Sequence, residues 1–103
     1  MAESAREFFA EAESQIDPAR TRGTHASYRF DVDGAGSWRV DVNDGAVAVS
    51  ESHADADVVL QASEQTFLKI VNGEQNPAVA YMTGKVKVRG DMGLALRLRD
   101  LFG

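Results

Sequence analysis

Chemistry in this chain would have to come from a short inventory. There are two histidines, His25 and His53, and no cysteine. Without cysteine there is no disulfide, no thiolate metal ligand and no thiol nucleophile. Each histidine falls in a polar segment read as loop, with no second ligand at metal-binding spacing, so no metal site is expected. Serines and aspartates are plentiful, but nothing resembles a nucleophile elbow. Gly84, Gly90 and Gly93 lack the spacing and the following Lys-Ser/Thr of a phosphate loop. They read better as boundaries between elements, with Gly93 admitting close approach to a helix. The carboxylates lie mostly on loops and polar faces, not in the apolar contexts that suit acid–base work. No catalytic residue and no cofactor is expected, and the chain does not read as an enzyme.

The one patterned set of charges is Lys85, Lys87 and Arg89, alternating with Val86 and Val88. That alternation describes a strand with one wet and one dry face. The stripe reads as a solvated sheet face, or as a surface drawn to anionic lipid. The chain has net charge -5 over 103 residues, so nonspecific nucleic-acid binding is not expected. Its length implies a single domain, residues 1–103, with one core. No apolar run approaches a membrane span and no secretory signal is visible, which makes a cytoplasmic location the expectation.

The elements that position these residues follow in order. Ser4 to Ile16 reads as a helix opened by the Ser4/Glu7 capping box, with Phe8 and Phe9 anchoring it to the core and Asp17-Pro18 ending it. Arg20 to His25 reads as a polar connection. Strands are expected over Ser27–Asp33, Ser37–Asn43 and Ala46–Ser50, with Asn43-Asp44-Gly45 as a hairpin turn. Arg29, Asp31, Arg39 and Asp41 on their outer faces predict cross-strand ion pairs. A more buried strand, Asp57–Ala62, precedes a helix capped by Ser63 that runs to about Asn72. Asn76-Pro77 starts a short helix, Asn as cap and Pro at its first position. After the basic strand, Asp91 caps a last helix, Met92–Phe102. The order α-β-β-β-β-α-α-β-α makes an α+β domain with helices on one face of the sheet. On the last helix Leu94, Ala95, Leu98, Leu101 and Phe102 share one face, while Met92 and Leu96 form a second patch nearly opposite. One sheet needs only one apolar stripe. The second patch points to a ligand, a partner or another helix.

The run Gly84-Lys-Val-Lys-Val-Arg-Gly-Asp-Met-Gly-Leu-Ala95, the terminal Leu101-Phe102 and the segments Ala56–Leu68 and Asn76–Met82 resemble the sterol carrier protein type two family of nonspecific lipid-binding domains. Tyr28-Arg-Phe-Asp-Val and Gly36-Ser-Trp-Arg-Val match its first strands more loosely. The resemblance implies a five-stranded, mainly antiparallel sheet in the order 3-2-1-4-5, with an apolar tunnel between sheet and helices. It implies an apolar ligand, such as a fatty acid, fatty acyl-coenzyme A or a sterol-like lipid, bound without chemistry. The residues that carry over as ligand-binding are Phe67, Ile70, Val71, Val79, Met82, Val86, Val88, Met92, Ala95, Leu96 and Leu98. The chain ends Leu-Phe-Gly, so a peroxisomal Ser-Lys-Leu address is not expected. Partners under this reading are the lipid and transient contact with a membrane, the protein acting as monomer or homodimer. The alternative is a protein-interaction, dimerisation or substrate-presenting module working with a larger enzyme.

Overall fold

The structure, a computed structural model, describes residues 3–102, with side chains through Arg97. Helix α1 (Ala5–Gln15) and a short α2 (Pro18–Thr21) precede strands β1 (His25–Asp33), β2 (Gly36–Asn43), β3 (Ala46–Glu51) and β4 (Val58–Ser63). Helices α3 (Glu64–Val71) and α4 (Pro77–Met82), strand β5 (Val86–Gly90) and helix α5 (Met92–Phe102) complete the chain. The sheet has the expected order, β3-β2-β1-β4-β5. It is mixed: β1 and β4 run parallel, and the other three pairings are antiparallel.

The register explains the two faces. Phe30 lies opposite Trp38 and Leu60, Tyr28 opposite Val40 and Val58, and Leu60 opposite Val88. Side chains alternate along a strand, so these residues share the face that the helices cover. Phe9 of α1 sits over this face, 3% exposed, stacked on Trp38 at 4.9 Å and on Phe67 of α3 at 5.3 Å. The paired phenylalanines do anchor the first helix: Phe8 meets Phe9 and Phe67 edge-on.

Local signals account for most boundaries. The Oγ of Ser4 accepts from the Glu7 amide, the Oγ of Ser63 from Thr66, and Oδ1 of Asn76 from Ala78 and Val79. Asp91 caps α5 through its Oδ1, which accepts from Gly93 and Leu94. Two readings need correction. Asp17-Pro18 ends α1 but also starts α2, because Asp17 accepts from the Ala19 amide while Pro18 takes a first-turn position where no amide is needed. The expected polar connection is thus partly helical, and His25 is the first residue of β1.

The outer face also departs from expectation. Arg29 lies directly opposite Arg39, so the expected cross-strand pairing would oppose like charges. The ion pairs run along each strand instead, Arg29 to Asp31 at 3.0 Å and Arg39 to Asp41 at 3.1 Å. Arg29 is buried, roofed by the β3–β4 connection, and also donates to the His53 carbonyl. Burial by itself raises the Asp31 pKa, but hydrogen bonds from Arg29 and Ser37 and the Arg29 charge outweigh it and hold the carboxyl below its ordinary 3.8. A carboxylate with a depressed folded pKa stabilises the fold above its unfolded pKa. That contribution is expected to fade as pH falls through about 3.8 and past the folded value. Urea titrations across this acidic range should show a shallower loss of stability for Asp31→Asn than for the parent protein.

Candidate functional site

Of the residues carried over as ligand-binding, the structure sorts those it describes into tiers. Phe67 is buried in the core cluster. Val71, Val88 and Ala95 are half-buried and packed against that cluster. Ile70 and Val86 are half-buried without belonging to that packed set. Val79 (49% exposed), Met92 (45%), Leu96 (74%) and Met82 (82%) face solvent. The side chain of Leu98 lies outside the described residues.

The exposed tier sits on two helices that both contact β5. Helix α4 is held there by its C-terminal turn, where the Lys85 amide donates to the Ala80 carbonyl at 2.9 Å, and by Ala80, which is fully buried. Helix α5 is tied to the sheet by Tyr28, whose Oη donates to the Leu94 carbonyl at 2.9 Å. Tyr28 is fully buried, and this desolvation raises its pKa. Arg97 opposes the rise, while Asp57 and Asp91 add to it. The hydroxyl therefore stays protonated as a donor at neutral pH. Tyr28→Phe is expected to lose about 1–2 kcal/mol, because a part-buried bond is removed with little change of shape. Thermal melts check this, and amide exchange should rise first in α5.

Of the expected stripe on α5, the side chains of Leu98, Leu101 and Phe102 lie outside the described residues. Leu94 and Ala95 turn to the core, and Met92 and Leu96 turn outward. Aromatic rings close the core on its β1–β2 side; on its β5 side α4 and α5 contact a strand whose Val86 and Val88 are half-buried, and carry exposed apolar side chains of their own. The close approach at Gly93 is made from within the chain, by the cap of its own helix. What stands near it is the capping Asp91 Oδ1, 3.2 Å from where a Cβ would lie.

One polar cluster has no signature in the local sequence. A shallow, open depression of about 480 Å³ beside the β1–β2 turn carries Asp31, Ser37, His53 and Gln61. Ser37 Oγ is 2.8 Å from Asp31 Oδ1 and 3.0 Å from His53 Nδ1. A relay needs the imidazole between serine and carboxylate, one nitrogen to each. Here one nitrogen faces both groups, with Asp31 Oδ1 at 3.6 Å, and the serine proton goes to a carboxylate already held by Arg29. The arrangement braces β1, β2 and the connection carrying His53. Ser37 is 6 positions from Asp31 and 16 from His53 in sequence, so no local motif announces the cluster.

The profile of the SCP-2 sterol transfer family matches residues 6–103. The chain belongs to that family, and lipid binding or transfer is the general function this membership carries. It is 35% identical over 102 residues to Hydroxysteroid dehydrogenase-like protein 2 of Xenopus tropicalis, covering 95% of this chain and 24% of that protein. The human protein of the same name is 31% identical with the same coverage. The chain therefore spans about a quarter of the length of these curated relatives. The sterol carrier protein domain 2 of Helicoverpa armigera superposes with a TM-score of 0.72 at 29% identity, over 91% of this chain and 79% of that one. The fold recurs in a sec-alkylsulfatase of a Pseudomonas species, with TM-score 0.79, 20% identity, 94% of this chain and 15% of that one. It recurs also in palmitated SCP2L2 of Aedes aegypti, with TM-score 0.71, 22% identity, 94% of this chain and 88% of that one. Among the described residues no helix is long and apolar enough to cross a membrane.

Proposed function

We propose that residues 1–103 act as one domain that holds a single fatty acyl or sterol-like lipid against the β5 side of the sheet, without chemical change. The observation that carries this is the unsatisfied apolar surface on α4 and α5, where Val79, Met82, Met92 and Leu96 stay exposed while α1 closes the opposite side with stacked rings. In this reading Ile70 and Val86 contact the ligand with the exposed four. Phe67, Val71, Val88 and Ala95 back the wall. A bound chain would complete the tunnel that the family resemblance implies. Burying a dozen methylenes contributes about 10 kcal/mol gross. Lost freedom of ligand and side chains removes several of these, which leaves micromolar or tighter binding. Specificity should be loose, since one methylene in an apolar pocket discriminates by only about 1–3 kcal/mol. A cytoplasmic location accompanies this reading, supported by the cysteine-free sequence.

Displacement of a fluorescent fatty acid by palmitate tests it. One molecule per chain is expected to bind, and Leu96→Asp should weaken binding at least about tenfold, as a buried charge meets an apolar ligand. Failure of the parent protein to take up either fatty acid would sink the reading.

A second reading is favoured by the relatives, in which this domain is a quarter of a longer dehydrogenase-like chain. The same surface would then present an apolar substrate to, or dock on, a separate enzyme. Light scattering distinguishes the two. A monomer that binds palmitate supports the carrier, whereas a stable dimer that shields Met92 and Leu96 and excludes palmitate supports the interaction module.

A further inference from the structure

We propose that the corner where α4 turns into β5 is a docking surface for an anionic lipid bilayer. The first observation is a segregation of charge. Residues 1–60 hold twelve carboxylates against five Lys and Arg, and residues 61–103 hold four against six. The second is that the cations of the two parts are used differently. Arg6, Arg29 and Arg39 are each tied to a carboxylate. Among the described residues no ion pair engages Lys85, Lys87 or Arg89, and all three side chains are exposed. A surface cation with no carboxylate beside it keeps its whole field for an external partner.

The third observation is what stands beside them. Met82 is the last residue of α4 and is 82% exposed, and Tyr81 is 47% exposed. The turn that follows is rigidly made: the Gly84 amide donates to the Tyr81 carbonyl and the Lys85 amide to that of Ala80. Met82 is thus held within three residues of Lys85, at the start of the edge strand. An apolar tip with a tyrosine at its base and a row of cations behind it matches the layers of a bilayer surface, acyl boundary first and phosphate headgroups next. An acidic protein face would meet the cations but offer nothing to a protruding methionine. The bilayer accounts for both.

Each cation close to an anionic membrane strengthens binding about fivefold, so the three together supply about two orders of magnitude. This inference goes beyond lipid carriage. Lys87 and Arg89 point to the outer face of the sheet, register partners of Gln61 and Val59, away from the apolar ligand surface.

The test is co-sedimentation with vesicles of phosphatidylcholine alone and of phosphatidylcholine mixed with phosphatidylserine, at low and high salt. Binding to the mixed vesicles only, weakened by salt, is expected. Lys87→Glu should lower it more than about fivefold, and Met82→Asp should abolish it. Arg22→Glu makes the same charge change on an exposed residue of the acidic part and should lower binding much less. Lys87→Glu should still bind palmitate as the parent does, so loss of docking and loss of lipid carriage are read separately. No binding to mixed vesicles, equal binding to neutral ones, or equal losses in Arg22→Glu and Lys87→Glu would each overturn the proposal.

Discussion

Gly90→Ala is expected to cost at least about 4 kcal/mol, a large share of the stability of a domain this size. Gly90 ends β5 at φ +102°, a conformation that side chains rarely adopt. A Cβ there would stand 2.1 Å from the Asp57 carbonyl oxygen, and that atom is backbone. The same carbonyl accepts from the Asp91 amide, so moving it away would also loosen the start of α5. The clash therefore has no inexpensive relief: β4 must shift from β5, or α5 must leave its cap. A chain of 103 residues loses about 4–8 °C of Tm per kcal/mol, so the melt should fall by well over ~15 °C. Calorimetry checks this directly. A variant melting within a few degrees of the parent would show that the β4–β5 approach is less tight than it stands here. Gly84→Ala is the useful comparison. It has similar strain at φ +79° but nothing within 4 Å of its Cβ, so its cost should be about 1–2 kcal/mol.

Phe9→Ala is expected to cost about 3–5 kcal/mol, the range for removing a large buried ring. Phe9 lies within about one ring's width of Phe8, Phe30, Trp38 and Phe67. It joins three elements that are distant in sequence: α1, the β1–β2 hairpin and α3. Removing it opens a cavity that its ring neighbours fill only by tilting off their stacked geometry. Urea unfolding followed by Trp38 fluorescence should show a midpoint shift with little change in slope. Palmitate affinity should fall as well, because Phe67 backs the proposed ligand wall and rests on Phe9. A loss below about 1 kcal/mol would mean that the cluster closes over the gap. The two substitutions act at opposite ends of the sheet and share no contact, so their effects should add.

The local devices of this fold were legible in the chain itself. Ser4, Ser63, Asn76 and Asp91 cap helices, Asn43-Asp44-Gly45 turns a hairpin, and Val86 and Val88 alternate with cations. Each is decided within a few residues, by a side chain reaching its own first turn or by the period of a strand. The strand order 3-2-1-4-5 and the lipid-binding expectation came from family resemblance instead, since local period cannot say that β1 and β4 pair in parallel. The second patch on the last helix was visible as Met92 and Leu96 opposite Leu94 and Ala95.

Other features were settled only when the strands came together. The antiparallel register set Arg29 against Arg39, so the carboxylates pair along the strand, where sequence alone had favoured pairing across it. Burial of Arg29 and the Ser37–His53–Asp31 brace depend on a connection folding back over β1. The division of the ten described apolar positions into core, wall and open surface likewise depended on where α1 spends its rings. The N-terminal phenylalanines fill the β1–β2 side of the sheet, while α4 and α5, which contact β5, keep Val79, Met82, Met92 and Leu96 exposed. Periodicity tells which face of an element is apolar. Which of those faces finds a partner is a question of volume and of how many elements compete for one sheet, and only the assembled fold answers it.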